Sequence, residues 1–247
     1  MHVVAVVAAG GLGTRLGTPV PKQFLELGGR SMLERSVSAL LDSPRIRQVI
    51  VALPAAHLVD LPPYLRDPRV RVVEGGPRRQ DSVANAVAAV SADAEVVLIH
   101  DAARPFVDLA TIERVIEAAA EAGAAIAALP ARDTVKLADI TETSWLGGEF
   151  GEPLPAVVPK AVPAVKRTLP RETIYLAQTP QGFRRDVLTR VLERGAQGAE
   201  GTDEAALAEQ AGCTVLLVPG DARNIKITTA ADLAFARGLL LERGELS

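Results

Sequence analysis

A chain of 247 residues with 48% hydrophobic content is long enough to bury a full core, as one large domain or as one domain with an appendage. A net charge of −3 and 3% aromatic content supply neither the basic footprint nor the stacking surfaces of a nucleic-acid binder, so a small-molecule partner is expected. The one cysteine, Cys213, excludes an internal disulfide and a cysteine-ligated cluster, and no run reaches the ~18 apolar residues of a membrane span, which points to the cytoplasm.

The first element is the apolar run Val3 to Val7, a buried strand that empties into Ala8-Ala9-Gly10-Gly11-Leu12-Gly13-Thr14-Arg15-Leu16-Gly17 and then Pro21-Lys22-Gln23. Glycines at a strand end let backbone N–H groups approach phosphate oxygens, and Arg15 and Lys22 can neutralise the charge that amides only polarise. A Walker loop would need Gly-Lys-Ser/Thr, whereas Gly13 precedes Thr14-Arg15; a dinucleotide fingerprint would need a glycine where Leu16 stands. Neither template fits, and a tight turn with solvated charges is the plain alternative.

Ser31 to Leu41 has helical spacing, with Ser31 and Glu34 in capping-box positions. Strands follow at Gln48 to Leu53, Val70 to Val73 and Glu95 to His100, with a helix from Gln80 to Val90 before the last of them. A helix at Leu109 to Ala122 and a strand at Ala124 to Leu129 continue an alternation that predicts an α/β fold with a mostly parallel sheet flanked by helices. The rhythm breaks between Lys136 and Arg171, where five prolines and three glycines replace a compact βα unit. Strand-like sequence at Thr134 to Leu137 and Ile174 to Ala177 makes this a hairpin-like arm, at about 134–177, on a single domain spanning 1–247. Helices are expected at Arg184 to Leu192, Thr202 to Gln210 and Thr229 to Glu242, and strands at Val215 to Val218 and Asn224 to Thr228.

Three further clusters carry chemistry. His100-Asp101-Ala102-Ala103-Arg104-Pro105 ends a buried strand, which sets its charges at the carboxyl edge where open α/β sheets bind ligands. Gly75-Gly76-Pro77-Arg78-Arg79-Gln80-Asp81-Ser82 is a second glycine turn before a helix, where amides and the Ser82 hydroxyl can read a base edge and Arg79 can reach phosphate, or where Asp81 and Ser82 simply cap the helix. Lys226 lies inside the apolar Asn224-Ile225-Lys226-Ile227-Thr228.

Together with Arg132-Asp133-Thr134-Val135-Lys136, Gln178-Thr179-Pro180-Gln181 and Thr202-Asp203-Glu204, these motifs stand in an order that closely resembles the 2-C-methyl-D-erythritol 4-phosphate cytidylyltransferases of non-mevalonate isoprenoid synthesis, over almost the whole chain. The resemblance implies a Rossmann-like nucleotidyltransferase fold, a protruding β-arm used for homodimerisation, and cytidylyl transfer from CTP to the polyol phosphate with Mg²⁺ and release of pyrophosphate. It implies Arg15, Lys22 and Lys226 as the catalytic cations, and a CTP site of Ala9, Gly10, Gly11, Gly13, Gly76, Arg79, Ser82 and Ala102. Asp101, Arg104, Thr134, Arg171 and Thr179 would hold the polyol phosphate, with Thr134 and Arg171 serving a neighbouring subunit; Arg171 is preferred to Arg167 for its spacing to Gln178-Thr179-Pro180-Gln181. No dedicated protein metal site is implied: the triphosphate would hold most of the Mg²⁺, with Asp101 as a candidate ligand. Ala8 stands where the family often has proline, Gly10 where alanine is usual, and Arg223 where many relatives carry aspartate. No fused cyclodiphosphate synthase domain, found in some relatives, is expected at this length.

The alternatives are a ribitol-5-phosphate cytidylyltransferase, which the nucleotide loop does not distinguish, and a non-catalytic nucleotide-sensing module. Retention of Arg15, Lys22, Asp101 and Lys226 together argues against the module. The chemistry suits a chain whose histidines, His2, His57 and His100, form no nucleophile-and-base arrangement: a phosphate monoester, with its second pKa of ~6, attacks without a general base.

Overall fold

The computed structural model describes residues 1–10, 20–145 and 161–246. It divides into two compact units, Met1–Leu129 with Ala177–Ser247, and Pro130–Leu176.

In the first unit β1 (Val3–Ala8) is followed by a short antiparallel pair, β2 (Glu26–Leu27) and β3 (Arg30–Ser31), and by α1 (Met32–Leu41). Next come β4 (Ile46–Leu53), β5 (Val70–Glu74), α2 (Arg79–Ala88), β6 (Val96–Asp101), α3 (Leu109–Ala122) and β7 (Ala124–Pro130). The second unit is built on an antiparallel pair, β8 (Val135–Trp145) and β9 (Ala161–Leu169), in which Val135 faces Leu169. The chain then passes through β10 (Tyr175–Arg184), α4 (Arg185–Ala196), α5 (Glu204–Gln210), β11 (Leu216–Pro219) and α6 (Ala230–Glu242).

The main sheet has the order β11-β7-β10-β6-β1-β4-β5. β1 pairs in parallel with both β4 and β6, which places the ends of β1, β4 and β6 along one edge. Both faces are covered, so β1 is apolar throughout: Val3, Ala5 and Val7 join one core cluster with α1 and α3, while Val4 and Val6 join the other with α2 and α4. This explains why the strand reads as a continuous apolar run.

Local signals start the helices where the sequence suggests. The Ser31 hydroxyl accepts the Glu34 N–H at 3.1 Å, but the Glu34 carboxylate turns to the Arg30 guanidinium and leaves the capping box half made. Asp108 caps α3 by accepting the Thr111 N–H at 2.7 Å, and Gly123, at φ 96°, ends it.

Two expectations change. Asn224 to Thr228 is not a ladder strand, and it is tied to the fold by the Ile227 N–H donating to the Ala103 carbonyl at 2.9 Å. The segment Gln178 to Phe183, which sequence pattern does not mark as strand, is the body of β10 and lies antiparallel to β6. Its polar side chains disguise it, and each finds partners: Gln181 donates to Asp203 at 2.7 Å and accepts the Ala205 N–H at 3.2 Å, so burial costs little.

At Gly182 the close approach of α3 to β10 leaves no space for a side chain, since an added Cβ would lie 2.8 Å from Val115 and 2.9 Å from Ala119. Gly182→Ala is expected to destabilise the protein by about 1–3 kcal/mol, read as a lower urea midpoint with the slope unchanged.

Candidate active site

A cleft of about 210 Å³ opens at the carboxyl edge of β1 and β6. Among the described residues Ala9, Gly10, Lys22, Gly76, Arg79, Ser82, Asp101, Ala102 and Lys226 line it. These come from separate stretches of sequence, which the sheet edge gathers. Arg15, Gly11 and Gly13 lie outside the described residues.

Each wall has a local cause. Ala9 is held by its N–H donating to the Ala52 carbonyl at 3.1 Å, and Ala102 by donating to the Ala8 carbonyl at 3.3 Å. Lys22 opens a single 3₁₀ turn, Lys22–Phe24, entered from Pro21, and Phe24 packs against the core. Ile225 and Ile227 bury themselves against Leu27, Met32 and Phe106, and the intervening Lys226 therefore turns to the cleft. The Ser82 hydroxyl accepts the Gly76 N–H at 3.0 Å and shapes the second glycine turn. Asp81 accepts from the Arg78 backbone and guanidinium at the start of α2, so it acts there as a helix-start anchor.

The electrostatic centre is Asp101. Its Oδ2 meets the Lys226 ammonium at 2.7 Å, and its Oδ1 meets the Arg79 Nε at 3.1 Å. Arg79 in turn donates from one terminal nitrogen to both oxygens of Glu204 at 2.8 Å. Burial alone would raise the Asp101 pKa, but Arg79 and Lys226 outweigh it and hold the carboxyl well below the usual range. For Arg79, burial works against the charge and the two carboxylates more than restore it. Burial pushes the Glu204 carboxyl up in spite of its arginine. Arg79 is thus fixed between two acids rather than free to swing, which places it as the buttress of Asp101.

Beside the cleft a smaller polar cavity of about 100 Å³ is lined by Arg79, Asp101, Arg104, Thr179 and Lys226 among others. Thr179 accepts the Asp101 N–H at 3.1 Å. Arg104 reaches backbone carbonyls, Asn224 at 2.8 Å and Ala177 at 3.2 Å, and so ties the Lys226 segment to β10 while it borders the cavity. Thr134 and Arg171 belong to the second unit, where both are exposed and Arg171 donates to the Arg132 carbonyl at 2.9 Å.

Sequence reasoning misses Glu204, and also His100 as a structural participant. An acid in the first turn of a helix is ordinary, so nothing in Thr202-Asp203-Glu204 signals that one carboxylate is buried on Arg79. His100 is fully buried, and its pKa is pushed down from 6.5 to about 4, chiefly by burial, with Asp101 and the Arg104 carbonyl opposing.

A polar cleft at the carboxyl edge of a mostly parallel sheet, lined by lysines from two distant segments and by one carboxylate, is the ligand edge of a Rossmann-like α/β protein built for a phosphate-bearing small molecule. The family described as 2-C-methyl-D-erythritol 4-phosphate cytidylyltransferase (IspD) matches residues 3–145 and 157–242, and the chain belongs to it. Membership makes it a cytidylyltransferase, and favours methylerythritol phosphate over ribitol phosphate.

Among its relatives, a 2-C-methyl-D-erythritol 4-phosphate cytidylyltransferase of Acidobacterium capsulatum is 41% identical over 98% of this chain and 99% of its own length. A bifunctional IspD/IspF enzyme of Anaeromyxobacter dehalogenans is 46% identical over 97% of this chain, which spans 57% of that longer relative. The crystal structure of the Thermus thermophilus cytidylyltransferase superposes with a TM-score of 0.74 at 35% identity, covering 97% of this chain and 98% of that one. The 4-diphosphocytidyl-2C-methyl-D-erythritol synthase of Anaerococcus prevotii gives 0.80 at 27% identity, covering 97% and 96%. No helix among the described residues is long and apolar enough to cross a membrane.

Two stability outcomes follow from the buried charges. Glu204→Ala strands the Arg79 guanidinium on one carboxylate and is expected to cost about 3–5 kcal/mol in urea unfolding. His100 binds its proton near pH 6.5 when unfolded but only near 4 when folded, so its contribution is complete above pH 6.5 and is lost as pH falls towards 4, by about 3 kcal/mol in all. Comparing urea unfolding at pH 7 and pH 4 should show a smaller loss in His100→Asn than in the wild type; equal losses would contradict the linkage.

Proposed function

We propose that the chain transfers the cytidylyl group of CTP to 2-C-methyl-D-erythritol 4-phosphate, giving 4-diphosphocytidyl-2-C-methyl-D-erythritol and pyrophosphate for isoprenoid synthesis, as a cytoplasmic homodimer. The observation that carries this reading, beside family membership, is that Lys22, Lys226 and Asp101 line one cleft although they come from three distant parts of the sequence.

A phosphate oxygen of the polyol phosphate attacks the α-phosphorus of CTP, and the bond from that phosphorus to the β-bridging oxygen breaks with its electron pair leaving on pyrophosphate. The nucleophile is already ionised at neutral pH, so no residue need take its proton. His100, buried and neutral, suits a reaction without a base. What the chain supplies is position and charge: Lys226 beside the α-phosphate, Lys22 and Arg15 assigned to the β- and γ-phosphates, and Gly10, Gly11, Gly13 and Gly76 with Ala9, Ser82 and Ala102 assigned to the nucleotide. Arg79 holds Asp101 in place for the polyol, beside Thr179 and Arg104.

Mg²⁺ fits this site in one mode. No group of three or more acidic, imidazole or thiol side chains among the described residues could cage a metal, and Asp101 is the one carboxylate among the described residues lining the cleft. The triphosphate would hold most of the ion, with Asp101 as the candidate protein ligand, and when bound it would neutralise charge on the phosphates. In the homodimer Thr134 and Arg171 are assigned to the polyol phosphate of the neighbouring subunit.

With CTP, Mg²⁺ and methylerythritol phosphate the protein should release pyrophosphate, with a higher kcat/KM than for ribitol 5-phosphate. Lys22→Ala should lower the rate about 100- to 1,000-fold with an unchanged unfolding midpoint. Arg171→Ala should raise KM for the polyol phosphate more than KM for CTP. Preference for ribitol 5-phosphate, full activity of Lys22→Ala, or an active monomer in sedimentation would each overturn the corresponding part.

A further inference from the structure

The fully buried His100 sits between two oxygens: its Nε2 is 3.1 Å from the Arg104 carbonyl and its Nδ1 is 3.0 Å from the Thr179 hydroxyl. A carbonyl can only accept, so the hydrogen of the neutral ring lies on Nε2. The other nitrogen then carries a lone pair, and the Thr179 hydroxyl must donate its hydrogen to it. The same hydroxyl oxygen accepts the Asp101 N–H at 3.1 Å. With its hydrogen and one lone pair committed, Thr179 has a single lone pair left, beside the polar cavity that it lines with Asp101, Arg79 and Lys226.

We infer that His100, locked as the Nε2–H tautomer, is a positioning residue that makes Thr179 a pure acceptor, so that this corner of the cavity recognises a hydroxyl of the polyol and rejects a phosphate oxygen. The inference deepens the proposed reaction and rests on it for the identity of the polyol. An unprotonated phosphate oxygen brought to Thr179 would face lone pair against lone pair, whereas a polyol hydroxyl brings the hydrogen that the oxygen lacks. The neighbouring Lys226 ammonium sorts the other way, since it carries no acceptor and attracts phosphoryl oxygens. The cavity therefore reads orientation: phosphoryl group towards Lys226, hydroxyl towards Thr179.

The ring is fully buried between these two oxygens, so the carbonyl on one side fixes which nitrogen carries the hydrogen and the hydroxyl on the other must supply its own.

Two measurements test this. In protein labelled with ¹⁵N-histidine, long-range ¹H–¹⁵N correlation at pH 8 should show His100 with a protonated Nε2 and a bare Nδ1. A protonated Nδ1 at that pH would overturn the inference, and this spectrum needs no turnover. In steady-state kinetics with methylerythritol phosphate, Thr179→Val should raise KM for the polyol phosphate about tenfold or more, with KM for CTP within twofold, and Thr179→Ser should recover most of that loss. His100→Leu should repeat the Thr179→Val pattern. Deoxy analogues of the polyol phosphate, each lacking one hydroxyl, provide the decisive arm: one of them should be discriminated against by the wild type and not by Thr179→Val. Equal effects of Thr179→Val on both substrates, or undiminished discrimination against every analogue, would refute the role. Failure of the wild type to turn over CTP with methylerythritol phosphate would count against the proposed reaction and leave the tautomer to the spectrum.

Discussion

The ionic line from Glu204 through Arg79 and Asp101 to Lys226 organises the functional edge of this protein. It joins α5, α2, the end of β6 and the segment before α6, four pieces that share no sequence neighbourhood. Glu204, Arg79 and Asp101 are buried or half-buried and each charge would be unfavourable alone, so these three hold one another in fixed positions. A buried line of this kind limits what its groups can do. Arg79, a cation with acids on two sides, cannot swing into the cleft without stranding Glu204, whereas Lys226 is 42% exposed and meets its acid at only one end. The more exposed charge is thus separated from the one clamped between two acids.

Around that line the architecture performs a simple division. The parallel strands β1, β4 and β6 supply a rigid apolar frame whose edge presents backbone amides and the first residues after each strand. Catalysis in a phosphoryl-group transfer without a general base depends on positioning and charge, and a frame of this kind delivers both. Hydrogen bonds then refine it: Arg104 ties the Lys226 segment to β10, and Thr179 and His100 tie β10 to β6. The polar residues of β10 are tolerated in the sheet because each is satisfied there, and the same satisfaction places Thr179 beside Asp101.

Much of this was legible in the residues. The alternation of strands and helices, the glycine stretch after β1, the second glycine turn and the His100-Asp101 strand end all carry local physical signatures, and they mark one sheet edge. Less legible were the elements whose stability comes from elsewhere. β10 reads as a proline-interrupted polar stretch because its partners, Asp203 and the Ala205 amide, lie more than twenty residues downstream. The Asn224–Thr228 segment reads as a strand because Ile225 and Ile227 alternate with Lys226, yet the alternation serves burial against Met32 and Phe106 instead of a ladder. Glu204 was hidden altogether, since a helix-opening acid looks the same whether it faces water or a buried guanidinium.

By itself the sequence determined the fold class, the phosphate-directed chemistry and the family, because these rest on local glycine conformation, strand-end placement and a long ordered set of motifs. Only the tertiary structure decided how the charges are assigned. Arg79 became a buttress, Arg104 a tie between backbone segments, and Thr179 an acceptor, because the number of partners a buried polar group must satisfy is set by what the fold brings against it, and that cannot be read from one segment at a time.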